Sequence, residues 1–458
     1  MSGSSRNFRK VIFVASNLVS WVSRRGGLWA HADFMRLWGA QSISIFGTYI
    51  TLIALPLLAA TTLDASPLEM GVLTAAGSAP FLVMGLFVGV WVDRLRKRPL
   101  LIAADIGRAI CLLAVPAAAL LDVLSIPLLV TVAFVHGILA VLFDVADTTY
   151  LPSLVRRDQL VEANGRLELS TSVAQITGPA LAGALISLLT APFALLIDSV
   201  SYLGSAIMLR RITHVEPEPV PESHESVRAQ IVTGFQIIRR SRVLSALIGA
   251  STGTAFFGET FMAIYIFFLA ENLGLSAGEI GAIYATGGVG ALLGATLSGP
   301  VSRRIGAGNT IVLGQAMFGL TGLLVPLAVL VPGFALPLVI ASEFLQWGFL
   351  ILRQVNSASM RQAFTPLPAL GRVQATSMLA IQGLKPIGAL LGGLLATVIG
   401  AAWTLTIAEI GMLLAVTPLL LSPVRRVHTL DDEEPPDLPA FATMAPGESD
   451  ATRPATIA

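Results

Sequence analysis

Six ionisable side chains sit deep within long apolar runs of this chain: Arg108, Asp198, Glu259, Glu343, Lys385 and Glu409. Five more, Asp105, Asp144, Asp147, Glu168 and Arg353, sit toward the ends of such runs. Charge in a long apolar segment is costly, so each residue marks a candidate site. The four deep acids suit proton exchange: a carboxylate shielded from water binds a proton and releases it when its surroundings are rewetted. Glu259 and Glu343 rank first. Both lie near mid-run and flank aromatics, in TAFFGETFMAIYIFF and ASEFLQWGFL, that suit an apolar pocket. Asp198 and Glu409 follow. The alternative for each acid is a structural hydrogen bond or ion pair, and pairing with Lys385 would count against its partner. Arg108 either pairs with a deep acid or holds an anionic group. Gln175, Phe257, Phe344, Trp347 and Lys385 complete the pocket candidates, with lipid-facing packing as the competing reading for the aromatics. His136 reads as a packed helix residue. The residues near run ends read as gate and latch pairs.

The elements that position these residues follow from composition. The chain has 458 residues, 54% hydrophobic and 12% charged, with mean hydropathy +0.78. Soluble domains carry about 25% charged residues, so this chain reads as a membrane protein crossing many times. About 20 apolar residues cross a bilayer as a helix. Apolar runs separated by charge, Pro or Gly give spans at 34–60, 68–92, 99–121, 126–149, 161–189, 192–211, 243–270, 279–301, 308–331, 334–358, 371–398 and 401–421. With both termini inside, all but three of the 29 Lys and Arg fall in cytosolic segments, as the positive-inside rule requires. The exceptions, Arg108, Arg353 and Lys385, lie within spans. External loops are short and carry only acids, such as Asp64, Asp122 and Glu271. This places the chain in the cytoplasmic membrane, with both termini cytosolic. RNFRK followed by VIFVASNLVSWV has the form of a secretory signal. Arg24 and Arg25 after it favour a cytosolic or interfacial lead-in instead. The single cysteine, Cys111, excludes an intrachain disulfide.

The sequence repeats. SPLEMGVLTAAGSAPFLVMGLFVGVWVDR aligns with SAGEIGAIYATGGVGALLGATLSGPVSRR, matching Ser66 to Ser276, Glu69 to Glu279, Gly71 to Gly281 and Gly77 to Gly287. Such a duplication suggests two six-helix bundles rocking about a central site. The expected division is an N-terminal segment 1–33, bundles 34–211 and 243–421, a linker 212–242 and a tail 422–458. The linker has a flexible Pro/Glu-rich front and an amphipathic helix behind it. The tail, with DDEEPPDLP, reads as disordered.

Between the second and third spans, GVWVDRLRKRPLL carries Gly89, Asp93, Arg94, Arg96, Lys97 and Arg98. This resembles the G-x-x-x-D-R-x-G-R-R loop of the major facilitator superfamily, with Arg96 in place of the second glycine. The resemblance implies twelve transmembrane helices in two pseudo-symmetric six-helix bundles, an all-α membrane fold. It further implies a cytosolic latch, with Asp93 facing the helix start near Gly371 and Arg94 and Arg98 paired with Asp144 and Asp147. The segments FDVADTTYLPSLV, ANGRLELSTSVAQITGPALAGALI and ALLIDSVSYLGSAI are similar to the macrolide- and siderophore-efflux branch of that family, which includes enterobactin exporters. GPALAG, with Gly178, Pro179 and Gly183, resembles the helix 5 signature of antiporters. Physically those residues permit a kink and close helix contact. LKPIGALLGG mirrors it, with Gln382 and Pro386 matching Gln175 and Pro179.

No H-E-x-x-H or G-x-x-x-x-G-K-[ST] pattern is present, so no ATP site, metal, cofactor or enzymatic nucleophile constellation is expected. The reading is a monomeric efflux carrier for a small amphipathic organic molecule, of drug, macrolide or siderophore class, exchanging it for protons, with no nucleic-acid partner. The alternative is a facilitator or importer of a polar metabolite, kept open by Gln41, Gln175, Gln346 and Gln382.

Overall fold

The structure, a computed structural model, describes residues 28–93, 95–216, 227–366 and 369–428; the side chains at 83, 85–91, 93, 157 and 227–230 lie outside the described set. The first six long helices are α1 (Ala32–Thr62), α2 (Pro67–Asp93), α3 (Lys97–Leu120), α4 (Ile126–Leu154), α5 (Leu160–Leu189) and α6 (Ala191–Arg210). A shorter helix, α7 (Val227–Arg240), links them to the second half. There follow α8 (Arg242–Phe267), α9 (Ala277–Ile305), α10 (Ala307–Gly322), α11 (Ala335–Ala363), α12 (Leu370–Gly383), α13 (Lys385–Ile399) and α14 (Ala401–Leu414). Among the described residues, eleven segments are long and apolar enough to span a membrane, with α12 and α13 counted together. The 27 residues of α2 make the twelfth, at about 40 Å for a 1.5 Å rise.

The helices sort into two bundles. Helix α6 packs on α1 and α3, and α4 on α2 and α3; in the second half α11 packs on α9 and α10, and α8 on α13 and α14. The duplication is visible at atomic level. Ser66 and Glu69 exchange hydrogen bonds at the start of α2, and Ser276 and Glu279 do the same at the start of α9. Each pair is a capping box that satisfies otherwise orphaned helix N–H groups.

Two seams join the bundles, both at the end of the molecule remote from the chain termini. In one, α2 meets α13: a methyl on Gly71 would lie 2.7 Å from Gly393 Cα. In the other, α5 meets α9: a methyl on Gly281 would lie 2.9 Å from Gly183 Cα. Only glycine permits this approach, and small residues are what let backbones pack closely where lipid gives no hydrophobic drive. The termini-bearing end is here called the basic face. There Val161 and Leu169 of α5 are 85% and 64% exposed.

Three expected spans are not single helices; the last ends as α14 at Leu414 and resumes in a short turn at Thr417–Leu420. The eleventh breaks at Leu384 into α12 and α13, because Pro386 has no N–H for the Gln382 carbonyl. The ninth ends as α10 at Gly322 and continues in short turns to Leu330, since Pro326 likewise cannot bond to Gly322. Pro179 does not break α5. The linker is only partly as expected. Helix α7 forms and buries Ile237 and Ile238 against the basic end of the second bundle. Glu216, in the front read as flexible, accepts bonds of 2.6 Å from the backbone N–H groups of Lys97 and Arg98, capping α3. The expected N-terminal lead-in, before residue 28, and the tail beyond residue 428 lie outside the described residues.

Gly281→Leu should force α9 from α5 and open the far seam. In a Cys111→Ser background, a cysteine placed at Gln175 should then react severalfold faster with an impermeant thiol reagent added on the far side. An unchanged rate would mean the seam is sealed elsewhere.

Candidate functional site

The two bundles handle their buried charge differently. In the first, Arg108 pairs with Asp105 one turn earlier on α3, and both are buried. Ser205 of α6 donates to Asp105 at 2.6 Å. The guanidinium is held between the rings of Phe143 and Tyr202, at 4.2 and 4.3 Å, a cation–π arrangement worth about 2 kcal/mol when desolvated. Around it lie Asp198, which accepts from Thr51 and Ser201, and His136, 3.2 Å from the Tyr202 hydroxyl. Arg108 therefore does not face a pocket. It is the counter-charge of a sealed network, and Asp198 belongs to that network too.

Asp144 and Asp147 also feel Arg108, and Gln41 donates to Asp147. The expected partner Arg98 turns elsewhere: its side chain donates to the Leu209 carbonyl at 3.0 Å and to that of Arg210. These carbonyls lie in the last turn of α6, where a cation is favoured. Arg94 and the Asp93 side chain lie outside the described residues, and Gly89 is carried in α2.

The second bundle lines most of a cavity of about 800 Å³, whose lining runs from Arg361 near the basic face to Tyr265 and Tyr284 toward the glycine seams. Gln175 and Pro179 of α5 form part of the first-bundle wall, opposite Gln382 and Lys385. Glu343 is 4% exposed, and Tyr265 Oη and Trp347 Nε1 each donate to it at 2.8 Å. No cation pairs with it among the described residues. The chain is tight here, since a methyl on Gly287 would lie 3.0 Å from both Glu343 Cγ and Trp347 Nε1. Glu259 also lines the cavity, with Lys385 Nζ 4.0 Å from its carboxylate. Glu409 is fully buried behind the wall, and neither carboxylate oxygen has a hydrogen-bond partner.

Of the pocket candidates, Gln175, Trp347 and Lys385 line the cavity. Phe257 instead packs edge-on against Phe256, 5.1 Å between centroids, and beside Gly411. The Phe344 backbone packs on Gly290, and neither phenylalanine is in the cavity wall. Gly178 sits against the Tyr49 ring, and Gly183 forms the seam. Tyr49 and Tyr284 line the cavity without having been singled out by sequence. Their isolation from charged neighbours left no signal. Ser251 falls in a G-x-S-x-G run, Gly249 to Gly253, but within the continuous helix α8. Its hydroxyl accepts from Arg353 at 3.2 Å, so it has neither the turn nor the base of an activated nucleophile. Among the described residues no cluster of His, Cys, Asp and Glu could hold a metal.

A family model described as transmembrane secretion effector matches residues 28–443. The enterobactin exporter EntS of Shigella dysenteriae is 26% identical over 424 residues, covering 90% of this chain and 97% of that one. An uncharacterised MFS-type transporter, YfiS of Bacillus subtilis, is 26% identical over 294 residues, 62% of this chain and 69% of that one. Among solved structures, a bacterial homologue of the iron transporter ferroportin in an inward-facing state superposes with TM-score 0.69 at 16% identity, covering 85% of this chain and 98% of that one. The nucleoside transporter NupG gives 0.67 at 13% identity, over 85% and 98%.

Arg108→Leu should lower stability by about 3–5 kcal/mol, the usual result of stranding one partner of a buried ion pair. The double variant Asp105→Asn/Arg108→Leu should recover part of that loss. Thermal unfolding in detergent reads both, and equal melting temperatures for all three proteins would contradict the network described.

Proposed function

The chain belongs to the transmembrane secretion effector family of the major facilitator superfamily, and on that premise we propose that it is a secondary active exporter of amphipathic organic molecules, driven by proton antiport. It is a multi-pass membrane protein of a transporter family. The basic face is assigned to the cytosol, because loops rich in arginine are retained there. The substrate then enters the cavity from the cytosol and leaves when the seams at the other end part. The name of the EntS relatives, enterobactin exporter, supports outward movement of a siderophore class of molecule; the drug and macrolide classes rest on the sequence resemblance alone.

The observation that carries the coupling proposal is Glu343. It is buried at the cavity wall, hydrogen-bonded by two neutral donors and unpaired by a cation. Trp347 stands on the same helix, but Tyr265 stands on α8. A shift of α8 against α11 therefore changes how well the ionised carboxylate is held, which links its protonation to the state of the cavity. Glu259 is the weaker candidate, because Lys385 neutralises it in place. Asp198 and Glu409 lie away from the cavity wall and take supporting roles. The latch reading is retained for Asp93 and Arg94, whereas Arg98 is assigned to capping α6. The protein is expected to act as a monomer.

One observation favours a second reading, a facilitator or importer of a polar metabolite: Gln175, Gln346, Gln354 and Gln382 all line the cavity. Reconstituted vesicles separate the two. Under an imposed pH gradient, dyes, macrolides and siderophores should be moved by the wild type. Glu343→Gln should abolish gradient-driven movement, while Glu259→Gln lowers it less. Movement indifferent to the gradient and to both substitutions would sink the coupling, and counterflow of sugars or nucleosides would then point to the facilitator.

A further inference from the structure

Helix α11 carries three polar residues one turn apart on one stripe: Arg353, Ser357 and Arg361. Spacing of four places such residues above one another on a helix. All three line the cavity, with Gln354 and Ala358 beside them. Arg353 is 4% and Ser357 3% exposed. Arg353 reaches Ser251 with one terminal nitrogen, but its Nε has no partner, nor has the Ser357 hydroxyl or the Arg361 Nε. Neither arginine forms a salt bridge among the described residues. The two arginines stand eight residues apart on the helix, about 12 Å along its axis.

Such an arrangement costs stability. Like charges repel, and each unmet buried donor forfeits about 1–3 kcal/mol. The cavity's acids do not relieve it: Lys385 stands beside Glu259, and Glu343 takes its bonds from Tyr265 and Trp347. Asp144 and Glu168, exposed on the first bundle, do not line this cavity. What satisfies two arginines and a hydroxyl together is an oxyanion, and arginine binds carboxylate and phosphate oxygens with paired N–H groups.

We infer that Arg353, Ser357 and Arg361 form an anion site in the cavity, and that the transported molecule is an amphipathic organic anion. Its carboxylate, phosphate or sulfate would engage this stripe, while its apolar body lies against Phe261, Met262 and Leu350 of the same cavity. The inference deepens the exporter reading and rests on it for the word transported. The same oxyanion chemistry is offered by a lipid headgroup, and the test separates the two sources.

The full chain, with Cys111→Ser and Ala358→Cys, is placed in nanodiscs of phosphatidylcholine alone or mixed with phosphatidylglycerol. The cysteine is reacted with an anionic and a cationic methanethiosulfonate, each normalised to its rate with a free thiol. The anionic reagent should be favoured by about tenfold, the lower end of what a charged cleft does to counter-ion encounter. Arg353→Gln/Arg361→Gln should erase the preference, and Arg353→Lys/Arg361→Lys should restore it. Next, 4-phenylbutyrate should slow the reaction of N-ethylmaleimide with this cysteine severalfold, while its neutral amide does not. No anionic preference, or equal protection by acid and amide, overturns the inference. Preference and protection lost only with phosphatidylglycerol would assign the site to a headgroup and overturn the substrate claim. These readouts need no transport. Failure here with proton-driven efflux intact therefore removes only the anion site, and the converse removes only the coupling.

Discussion

The arrangement depends on backbone meeting backbone at two seams. Where Gly71 faces Gly393 and Gly183 faces Gly281, a single added methyl would fall within 3.0 Å of a neighbouring Cα. Helices that approach so closely gain dispersion contacts along their length, the main drive for association where lipid is as apolar as the side chains. The seams close one end, and the cavity lining runs from there toward the basic face. One glycine of each seam, Gly71 and Gly281, occupies matching positions in the two repeats.

Charge is then distributed by bundle. The first bundle surrounds its arginine: Arg108 has an acid, two aromatic faces and further acids within electrostatic reach, and its Nε lacks a partner among the described residues. That network fixes α3, α4 and α6 relative to each other and suits a body that moves as a unit. The second bundle leaves its polar groups less completely paired. Glu343 is held by neutral donors, Glu259 by a lysine at 4.0 Å, and Arg353 and Arg361 have donors to spare. Incomplete pairing beside a cavity is what ligand and proton exchange require, since a fully satisfied group has nothing to offer a newcomer.

Much of this was legible in sequence. Hydropathy and the alternation of arginine marked the spans, and the repeat matched Ser66 and Glu69 to Ser276 and Glu279 and Gly71 to Gly281, without showing that the first two pairs cap helices or which glycines meet. Glu343, Gln175 and Lys385 stood out because polar residues are rare in such runs. Three kinds of information were not legible. Proline content did not decide helix breaks: Pro179 leaves α5 whole, whereas Pro326 and Pro386 coincide with interruptions. Partner choice was hidden, because whether Arg108 meets an acid or a ligand depends on which face α3 turns to α6. Arg98 looked like one of a basic cluster, yet the nearby end of α6 gave its donors a different destination. The aromatics around Phe257 and Phe344 had the right types but the wrong rotation about their helix axes.

Transport of this kind requires the two bundles to rock about the cavity between them, with α8 shifting against α11 in the second, so that the seams part as the basic face closes. Distances between paired spin labels test it most directly. In a Cys111→Ser background, one pair is placed at Leu121 and Leu330 on the far end, and another at Val161 and Leu421 on the basic face, all of them well exposed. Distance distributions are recorded by pulsed electron resonance in nanodiscs, across pH and with candidate substrates. Opposite changes are expected, with the far pair lengthening in the same population in which the basic-face pair shortens. Distances that stay fixed under every condition, or that lengthen together at both ends, would contradict it.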